Sequence, residues 1–347
     1  MYRREYVLSF LKRLTIVIFL VLIVPANWFL YSAGILSDSV AAHSATSSHQ
    51  AAKPGNTPEP SYKESADMKL IRYSGELRTT LAQRTSGLHP GRGEPVPVAK
   101  DVQDLPVVDI SFHDWRGFVI SGWLALQTPQ APVIILTHGT PGNRVSMVQR
   151  AAFLYKHGYN VLLFDFQSYG KSQGILSTLG MVESEDILAA ISYLHALPDT
   201  TYSKIGVLGL SMGATAAVLA ASRTDDIAAL VAESCPVDAT RVTADVPDED
   251  ARTADQLVVE ATYGVDITQA RPIDVVNKLA GHTAIFFVNG DTDDITPLPG
   301  MQDLYQTAGM PKQYWVVPGA GHAQSFSTDP TGYALRVSTF FDTYLRS

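Results

Sequence analysis

From about Pro106 onward, short runs of β-branched residues alternate with longer helical segments, and this alternation constrains the fold more than any other feature of the sequence. The run from Pro132 to Thr137 is almost entirely apolar and ends at His138, as is typical of a strand that is buried on both faces of a parallel sheet. Strands that alternate with helices form a mostly parallel sheet with helices on both faces. The sequence therefore predicts an α/β domain over residues 105–347, with its active-site loops at the carboxyl ends of the strands.

The predicted elements follow one another along this domain, and the first two strands form a leading hairpin. Strands are predicted at residues 107–112, 117–126, 132–137, 159–164, 205–210, 227–233, 283–289 and 313–317. Helices are predicted at residues 145–157, 181–197, 212–222, 301–308 and 333–345.

The N-terminal segment has the composition of a membrane anchor. Residues 14–31 contain no charged side chain, and Arg3, Arg4, Lys12 and Arg13 precede them. An apolar segment of this length is just long enough to cross a bilayer as a helix, and the basic residues are expected to stay on the cytoplasmic side. We therefore predict an anchor within residues 1–34 that holds the rest of the chain outside the cytoplasm. Cleavage of this segment as a signal peptide, followed by secretion, is the alternative.

Residues 35–104 are rich in Ser, Ala, Pro, Gly and charged side chains and show no sustained periodicity. This composition predicts a largely irregular spacer between the anchor and the α/β domain. We assign it no catalytic role.

Charge and cysteine content exclude two classes of partner. The chain has 26 basic and 34 acidic residues, so it lacks the basic surface that nucleic-acid binding requires. Cys235 is the single cysteine, which excludes internal disulfides and thiolate-rich metal sites. We therefore expect neither nucleic acid nor a thiolate-bound metal as a partner.

The segment Gly209-Leu210-Ser211-Met212-Gly213 matches the pattern G-x-S-x-G and lies between a predicted strand and a predicted helix. A serine at such a turn is held exposed in a strained conformation, and the flanking glycines leave room for the neighbouring chain. The helix that begins there directs free N–H groups toward the position where an oxyanion develops. The pattern therefore predicts Ser211 as a nucleophile.

A serine hydroxyl needs a base within hydrogen-bond reach and a carboxylate that fixes the tautomer of that base. Only two histidines follow Ser211 in the chain. His282 precedes a predicted strand, so we expect it at the opposite edge of the sheet in a surface or capping role. His322 follows the last predicted strand in a glycine-rich loop and is therefore predicted to be the general base.

The carboxylate is expected after the penultimate strand, where three aspartates compete: Asp291, Asp293 and Asp294. A calcium loop is an alternative for such an acidic segment, but the regular ligand spacing and the following glutamate are missing. The residues alone leave the choice among the three aspartates open.

These segments together resemble the α/β-hydrolase superfamily, in particular its serine esterase and serine-aminopeptidase-like branch with the monoglyceride-lipase-like proteins. The resemblance covers about residues 107–345. The family's acid loop, Gly-x-x-Asp-x-x-x-Pro, aligns with Gly290, Asp293 and Pro297, so the resemblance implies Asp293 as the acid. The sequence departs from the family at Gln167 and Ser168, where Arg and Gly are usual.

The resemblance also implies an oxyanion hole and a lid. The loop His138-Gly139-Thr140-Pro141-Gly142-Asn143 occupies the position of the family's oxyanion loop, which makes the backbone N–H groups of Thr140 and Met212 the expected donors. We expect His138 to stabilise this loop rather than to take part in the chemistry. A lid insertion is expected at about residues 236–280.

The sequence thus predicts a serine hydrolase that cleaves a small-molecule acyl substrate through an acyl-enzyme, without a metal or an organic cofactor. Esters are the default substrate because an alkoxide leaves more easily than an amine, and thioesters and amides are further options. An aminopeptidase or an acyltransferase with the same triad remains an alternative. A membrane-tethered binding protein without catalytic turnover is the alternative from another functional class.

Overall fold

The computed structural model describes residues 93–102, 105–198, 204–239, 256, 259–260 and 262–346. The features discussed below belong to one unit of the chain, Gln83–Val259 with Val265–Ser347. The predicted anchor lies outside the described residues and stays a prediction. Among the helices that the described residues form, none is long and apolar enough to cross a membrane.

The described residues form an eight-stranded sheet in the order β1-β2-β4-β3-β5-β6-β7-β8. The strands are β1 (Val108–His113), β2 (Val119–Ala125), β3 (Val133–Thr137), β4 (Asn160–Phe164), β5 (Ile205–Leu210), β6 (Ile227–Glu233), β7 (Ala284–Gly290) and β8 (Lys312–Val317). The β1–β2 and β2–β4 pairs are antiparallel, and all other pairs are parallel. The mostly parallel sheet with a leading hairpin is therefore confirmed.

Among the described residues, α-helices lie between the strands and after the last strand. They are α1 (Val148–Lys156), α2 (Glu183–Ala196), α3 (Met212–Ala221), α4 (Leu298–Thr307), α5 (Ser325–Thr328) and α6 (Pro330–Leu345). The 3₁₀ helices are Ala99–Asp101, Arg144–Met147, Ile267–Gln269, Pro272–Asp274 and Val276–Leu279. The last three belong to the predicted lid insertion.

Apolar side chains pack on both faces of the sheet, as predicted for this fold. One core cluster includes Ile187 of α2 and Leu304 of α4, and the other includes Leu154 of α1 and Phe340 of α6. Every residue of β3 is buried, which explains why its sequence is apolar rather than alternating. Burial of each such side chain contributes about 1.5–3 kcal/mol relative to exposure.

Helix α4 begins at Leu298, three residues before the predicted start at Met301. Pro299 lies in its first turn, where proline costs nothing because that N–H has no partner within the helix. The Pro-Gly pair resembles a turn in the sequence, which is why the prediction placed the start too late. The short helix α5 was not predicted.

The end of the predicted spacer packs against the domain. The Asn143 side chain donates a hydrogen bond of 2.6 Å from Nδ2 to the carbonyl oxygen of Glu94. Lys171 donates from Nζ to the carbonyl oxygen of Pro97 at 3.3 Å. Residues 93–102 therefore lie along the loops that follow β3 and β4.

Candidate active site

Ser211 lies between the last residue of β5 and the first residue of α3 in a strained backbone conformation. Its φ and ψ angles are 54° and −117°, a region that residues with a side chain avoid, at a cost on the order of 1–3 kcal/mol. The Ser211 N–H donates to the carbonyl oxygen of Glu233 at 2.9 Å. The Ser211 carbonyl oxygen accepts from the N–H groups of Ala214 and Thr215 at 2.9 and 3.1 Å. These backbone bonds hold the turn in place on both sides.

The two glycines of the G-x-S-x-G pattern are required by close contacts of the main chain. A Cβ atom on Gly209 would lie 2.6 Å from the carbonyl oxygen of Gly213. A Cβ atom on Gly213 would lie 2.5 Å from the carbonyl oxygen of Thr137, at the end of β3. Helix α3 can therefore begin directly against the sheet only with glycine at both positions.

The structure brings Ser211, His322 and Asp293 together at the carboxyl ends of β5, β8 and β7. His322 Nε2 lies 2.9 Å from Ser211 Oγ. His322 Nδ1 lies 3.0 Å from each carboxylate oxygen of Asp293. Both distances are those of ordinary hydrogen bonds, so a proton can pass from the hydroxyl to the imidazole while the carboxylate orients the ring.

Asp293 is held by Thr296 as well as by the histidine. Thr296 donates from its backbone N to Oδ1 and from Oγ1 to Oδ2, both at 2.7 Å. Burial alone would raise the pKa of Asp293, but the hydrogen bonds from His322 and Thr296 outweigh it and lower the pKa below the ordinary value. The carboxylate is therefore ionised at neutral pH. The sequence reasoning missed Thr296, whose position three residues after Asp293 is a common one for such a turn.

The remaining sequence candidates lie outside the triad geometry. Asp291 Oδ1 accepts from the N–H of Gly319 at 2.6 Å and thereby joins the loops after β7 and β8. Asp294 is exposed. His282 Nε2 lies 3.2 Å from the carbonyl oxygen of Ala221, at the end of α3. Within the described part of the chain, no three His, Cys, Asp or Glu side chains converge as a metal site would require.

The predicted oxyanion loop lies directly against Ser211. A Cβ atom on Gly139 would be 3.1 Å from the Cβ atom of Ser211, which is a tight contact, so the glycine favours this close approach. Thr140 is the next residue of the loop. Met212 is the first residue of α3, where a backbone N–H has no acceptor within its own helix. The structure thus brings the segments that carry both predicted donors next to the strand-to-helix turn at Ser211 (the elbow).

His138 connects the oxyanion loop to the loop after β4, in line with the expectation that it stabilises the loop. Its Nε2 accepts from the N–H of Phe166 at 3.1 Å, which leaves the proton on Nδ1, 2.9 Å from the carbonyl oxygen of Gly139. Burial lowers the pKa of His138, so the ring stays neutral.

Tyr169 was missed by the sequence reasoning. Its buried hydroxyl lies 2.9 Å from Ser177 Oγ and 3.2 Å from Met212 Sδ, and it also forms a hydrogen bond with the Thr140 side chain. It therefore contacts the side chains of both predicted oxyanion residues. The only signal in the sequence was its place in the family-like loop after β4.

Two family models match the chain over overlapping regions. The model of the X-Pro dipeptidyl-peptidase (S15) family matches residues 99–246. The model of the C-terminal domain of the BAAT and acyl-CoA thioester hydrolase family matches residues 187–324.

Individual relatives and solved structures are also similar to this chain. An uncharacterized protein of Mycobacterium tuberculosis is 31% identical over 255 residues, which cover 72% of this chain and 84% of that protein. The thiohydrolase aneE of Aspergillus aculeatus is 29% identical over 190 residues, 52% of this chain and 59% of that protein. The solved structure of the Pyrococcus furiosus esterase Pf2001 is 25% identical, has a TM-score of 0.60, and covers 73% of this chain and 97% of its own. The chain therefore belongs to the α/β-hydrolase superfamily, as a hydrolytic enzyme of the serine-esterase-like kind.

Proposed function

We propose that the protein is a serine hydrolase that cleaves a carboxylic ester through an acyl-enzyme. The observation that carries this proposal is the hydrogen-bonded chain from Ser211 Oγ through the His322 ring to Asp293, with distances of 2.9 and 3.0 Å. The strained turn at Ser211 supports it, because a strained serine that faces a histidine is a costly arrangement without a catalytic role.

The proposed reaction has two steps of acyl transfer. Ser211 Oγ attacks the ester carbonyl carbon while His322 Nε2 takes its proton, and the N–H groups of Thr140 and Met212 stabilise the oxyanion. His322 then gives the proton to the leaving alkoxide, which departs as an alcohol and leaves the acyl group on Ser211. In the second step His322 activates a water molecule that releases the acid. Asp293 stays ionised throughout and keeps the imidazole in the required tautomer.

A thioester is the second candidate substrate, and the extent of the family matches favours it over a peptide. The acyl-CoA thioester hydrolase match spans residues 187–324 and includes Ser211, Asp293 and His322. The dipeptidyl-peptidase match ends at residue 246, before Asp293 and His322. The resemblance to a thiohydrolase points the same way.

A fluorophosphonate probe tests the proposed nucleophile. Wild-type protein should be labelled on Ser211 and should hydrolyse p-nitrophenyl esters, whereas Ser211→Ala should do neither. A panel of acyl chains, each offered as an ester, a thioester and an amide, then identifies the preferred bond. Wild-type protein that is folded yet resists labelling would instead favour a binding protein that lacks turnover.

We also propose that residues 14–31 anchor the enzyme in a membrane with the hydrolase domain outside the cytoplasm. The uncharged segment and the basic residues that precede it support this arrangement. Full-length protein should stay in the membrane fraction after alkaline extraction, and protease added to intact cells stripped of their wall should digest the domain. Release of a shortened chain, with a mass that places its N-terminus after about residue 34, would support secretion instead.

A further inference from the structure

A buried ion pair includes Glu233, whose main chain is hydrogen-bonded to Ser211 at the elbow. Arg150 of α1 donates from Nε to Glu233 Oε2 at 3.0 Å and from Nη2 to Oε1 at 2.8 Å. Glu233 is the last residue of β6 and is fully buried, and Arg150 is only 6% exposed. Tyr333 of α6 donates from its hydroxyl to Oε2 at 2.7 Å. The carboxylate therefore has hydrogen-bond partners on both of its oxygens.

A gain in folding stability does not by itself explain why the protein contains this buried ion pair. Removing two charges from water costs several kcal/mol per ion, and well-packed apolar side chains of similar volume are often as stable. The guanidinium group is additionally stacked on Phe326 of α5, at 5.4 Å from the ring centre. A planar, bidentate and stacked guanidinium holds its partners in a fixed geometry, which a lysine cannot reproduce.

The ion pair is hydrogen-bonded to Ala323, the residue that follows His322. Arg150 donates from Nη2 to the carbonyl oxygen of Ala323 at 3.3 Å, and the Ala323 N–H donates to Ser234 Oγ at 3.1 Å. Ala323 has a φ of 61°, in the left-handed region that costs roughly 1 kcal/mol for a residue with a Cβ atom. Both polar groups of this strained residue are therefore held by side chains outside its own loop.

Glu233, at the end of β6, is also hydrogen-bonded to the backbone of Ser211. The carbonyl oxygen of Glu233 accepts the N–H of Ser211 at 2.9 Å, and Ser234 follows directly in the chain. The end of β6 thus connects to the elbow through its main chain and to the histidine loop through the side chains of Glu233, Arg150 and Ser234.

We propose that Arg150, fixed by Glu233, is a positioning residue that holds the His322 loop so that the imidazole faces Ser211. This role rests on the proposed function, since it concerns the same nucleophile and base. Reacting groups that are misplaced by about 1 Å can lose on the order of a hundredfold in rate. The loop conformation is strained, so loss of these contacts lets Ala323 relax and moves the adjacent imidazole.

Arg150→Lys tests this role, because lysine keeps the charge and can still pair with Glu233 but loses the bidentate and stacked geometry. We expect kcat for a p-nitrophenyl ester and the rate constant of fluorophosphonate labelling to fall about ten- to a hundredfold. KM should change less than twofold. The proton NMR signal of the imidazole N–H that faces Asp293 should shift or broaden.

Arg223→Lys is the matched control, because Arg223 forms an ion pair with Glu185 of α2 rather than with Glu233. It should keep the wild-type rate and imidazole signal. Ser234→Ala removes the acceptor of the Ala323 N–H and tests the same loop independently. It should also lower kcat and perturb the imidazole signal, and it decides the question if Arg150→Lys does not fold.

The outcomes separate this inference from the proposed function. If the wild type is labelled at Ser211 and the folded Arg150→Lys and Ser234→Ala variants react at the wild-type rate with an unchanged imidazole signal, the positioning role is wrong and the hydrolase remains. If the wild type itself is neither labelled nor active, the proposed function fails and the positioning role fails with it.

Discussion

At the scale of single residues, the site depends on residues whose backbone conformation is unfavourable on its own. Ser211, Ser234 and Ala323 have φ angles of 54°, 49° and 61°. Each of these values lies in a region that favours glycine, and each residue lies in or beside the candidate active site. Such strain persists only where surrounding contacts compensate for it. Substitution of the nucleophile by glycine should therefore relieve the strain while it removes the activity.

Ser211→Gly should be more stable than Ser211→Ala by about 1 kcal/mol, because glycine adopts the conformation of the elbow without the penalty of a Cβ atom. Both variants lack the nucleophile and should be inactive. Urea unfolding of the two proteins measures the difference. Equal stabilities would mean that the turn is not strained.

Thr296→Val should lower the stability of the fold, because it removes a hydrogen bond to the Asp293 carboxylate. The folded-state pKa of Asp293 is lowered, so its ionised form stabilises the fold at pH values above the ordinary 3.8, and this contribution is lost as the pH falls through the lowered pKa. Removal of the Thr296 hydroxyl should therefore cost about 1.5–3 kcal/mol at neutral pH and less in acid. Thr296→Ser keeps the hydroxyl and serves as the control. Unfolding curves from pH 7 to pH 3 test this, and a constant loss at every pH would contradict it.

At the scale of elements, periodicity in the sequence predicts the sheet well. Strands β5 and β6 have the predicted bounds, because a buried apolar run next to glycine or a charged residue leaves little freedom in where a strand ends. The G-x-S-x-G pattern, the place of His322 after the last strand and the resemblance of the acid loop also led to the three side chains that the structure brings together. Sequence reasoning could not find the Arg150–Glu233 pair, because its members are 83 residues apart and no local pattern links them.

Helix α2 contains a buried carboxylate whose pKa is shifted opposite to that of Asp293. Burial raises the pKa of Asp186 well above its ordinary 3.8, and the charges of Glu183, Asp114 and Glu185 add to this, while the hydrogen bond from the Gln167 N–H opposes it. The protonated form therefore stabilises the fold. This contribution is fully present below pH 3.8 and is lost as the pH rises through the raised folded-state pKa.

Asp186→Asn should accordingly gain stability relative to the wild type as the pH rises. Asparagine stays neutral and can still accept the Gln167 N–H, which donates to Asp186 Oδ2 at 2.9 Å. The gain should approach about 1.4 kcal/mol per pH unit between the ordinary pKa and the raised folded-state pKa. Urea unfolding of both proteins from pH 5 to pH 9 measures it. Parallel stability profiles would show that Asp186 carries no raised pKa.

At the scale of the whole molecule, residues 93–102, which precede the first strand, pack against the oxyanion loop. A Cβ atom on Gly93 would lie 3.1 Å from the carbonyl carbon of Gly142. Asn143 accepts the Val145 N–H at Oδ1 and donates from Nδ2 to Glu94, so its side chain joins the loop to residues 93–102. Residues 93–102 therefore lie beside the candidate active site.

Asn143→Asp should keep the contact with Val145 and remove the contact with Glu94. The carboxylate keeps the acceptor for Val145 but places an oxygen against the carbonyl group of Glu94, so residues 93–102 should detach. We expect faster proteolysis within this segment and a kcat lowered about tenfold, since the loop that carries Thr140 loses its outer support. Unchanged proteolysis and activity would show that the segment is independent of the loop.

The position of β6 has a consequence for inactivation by heat. Ser211, Asp293 and His322 follow β5, β7 and β8, and β6 lies in the sheet between the first two of these strands. We therefore expect hydrolytic activity and native structure to be lost at the same temperature when heat removes β6 from the sheet, because Ser211 and Asp293 follow the strands on either side of it.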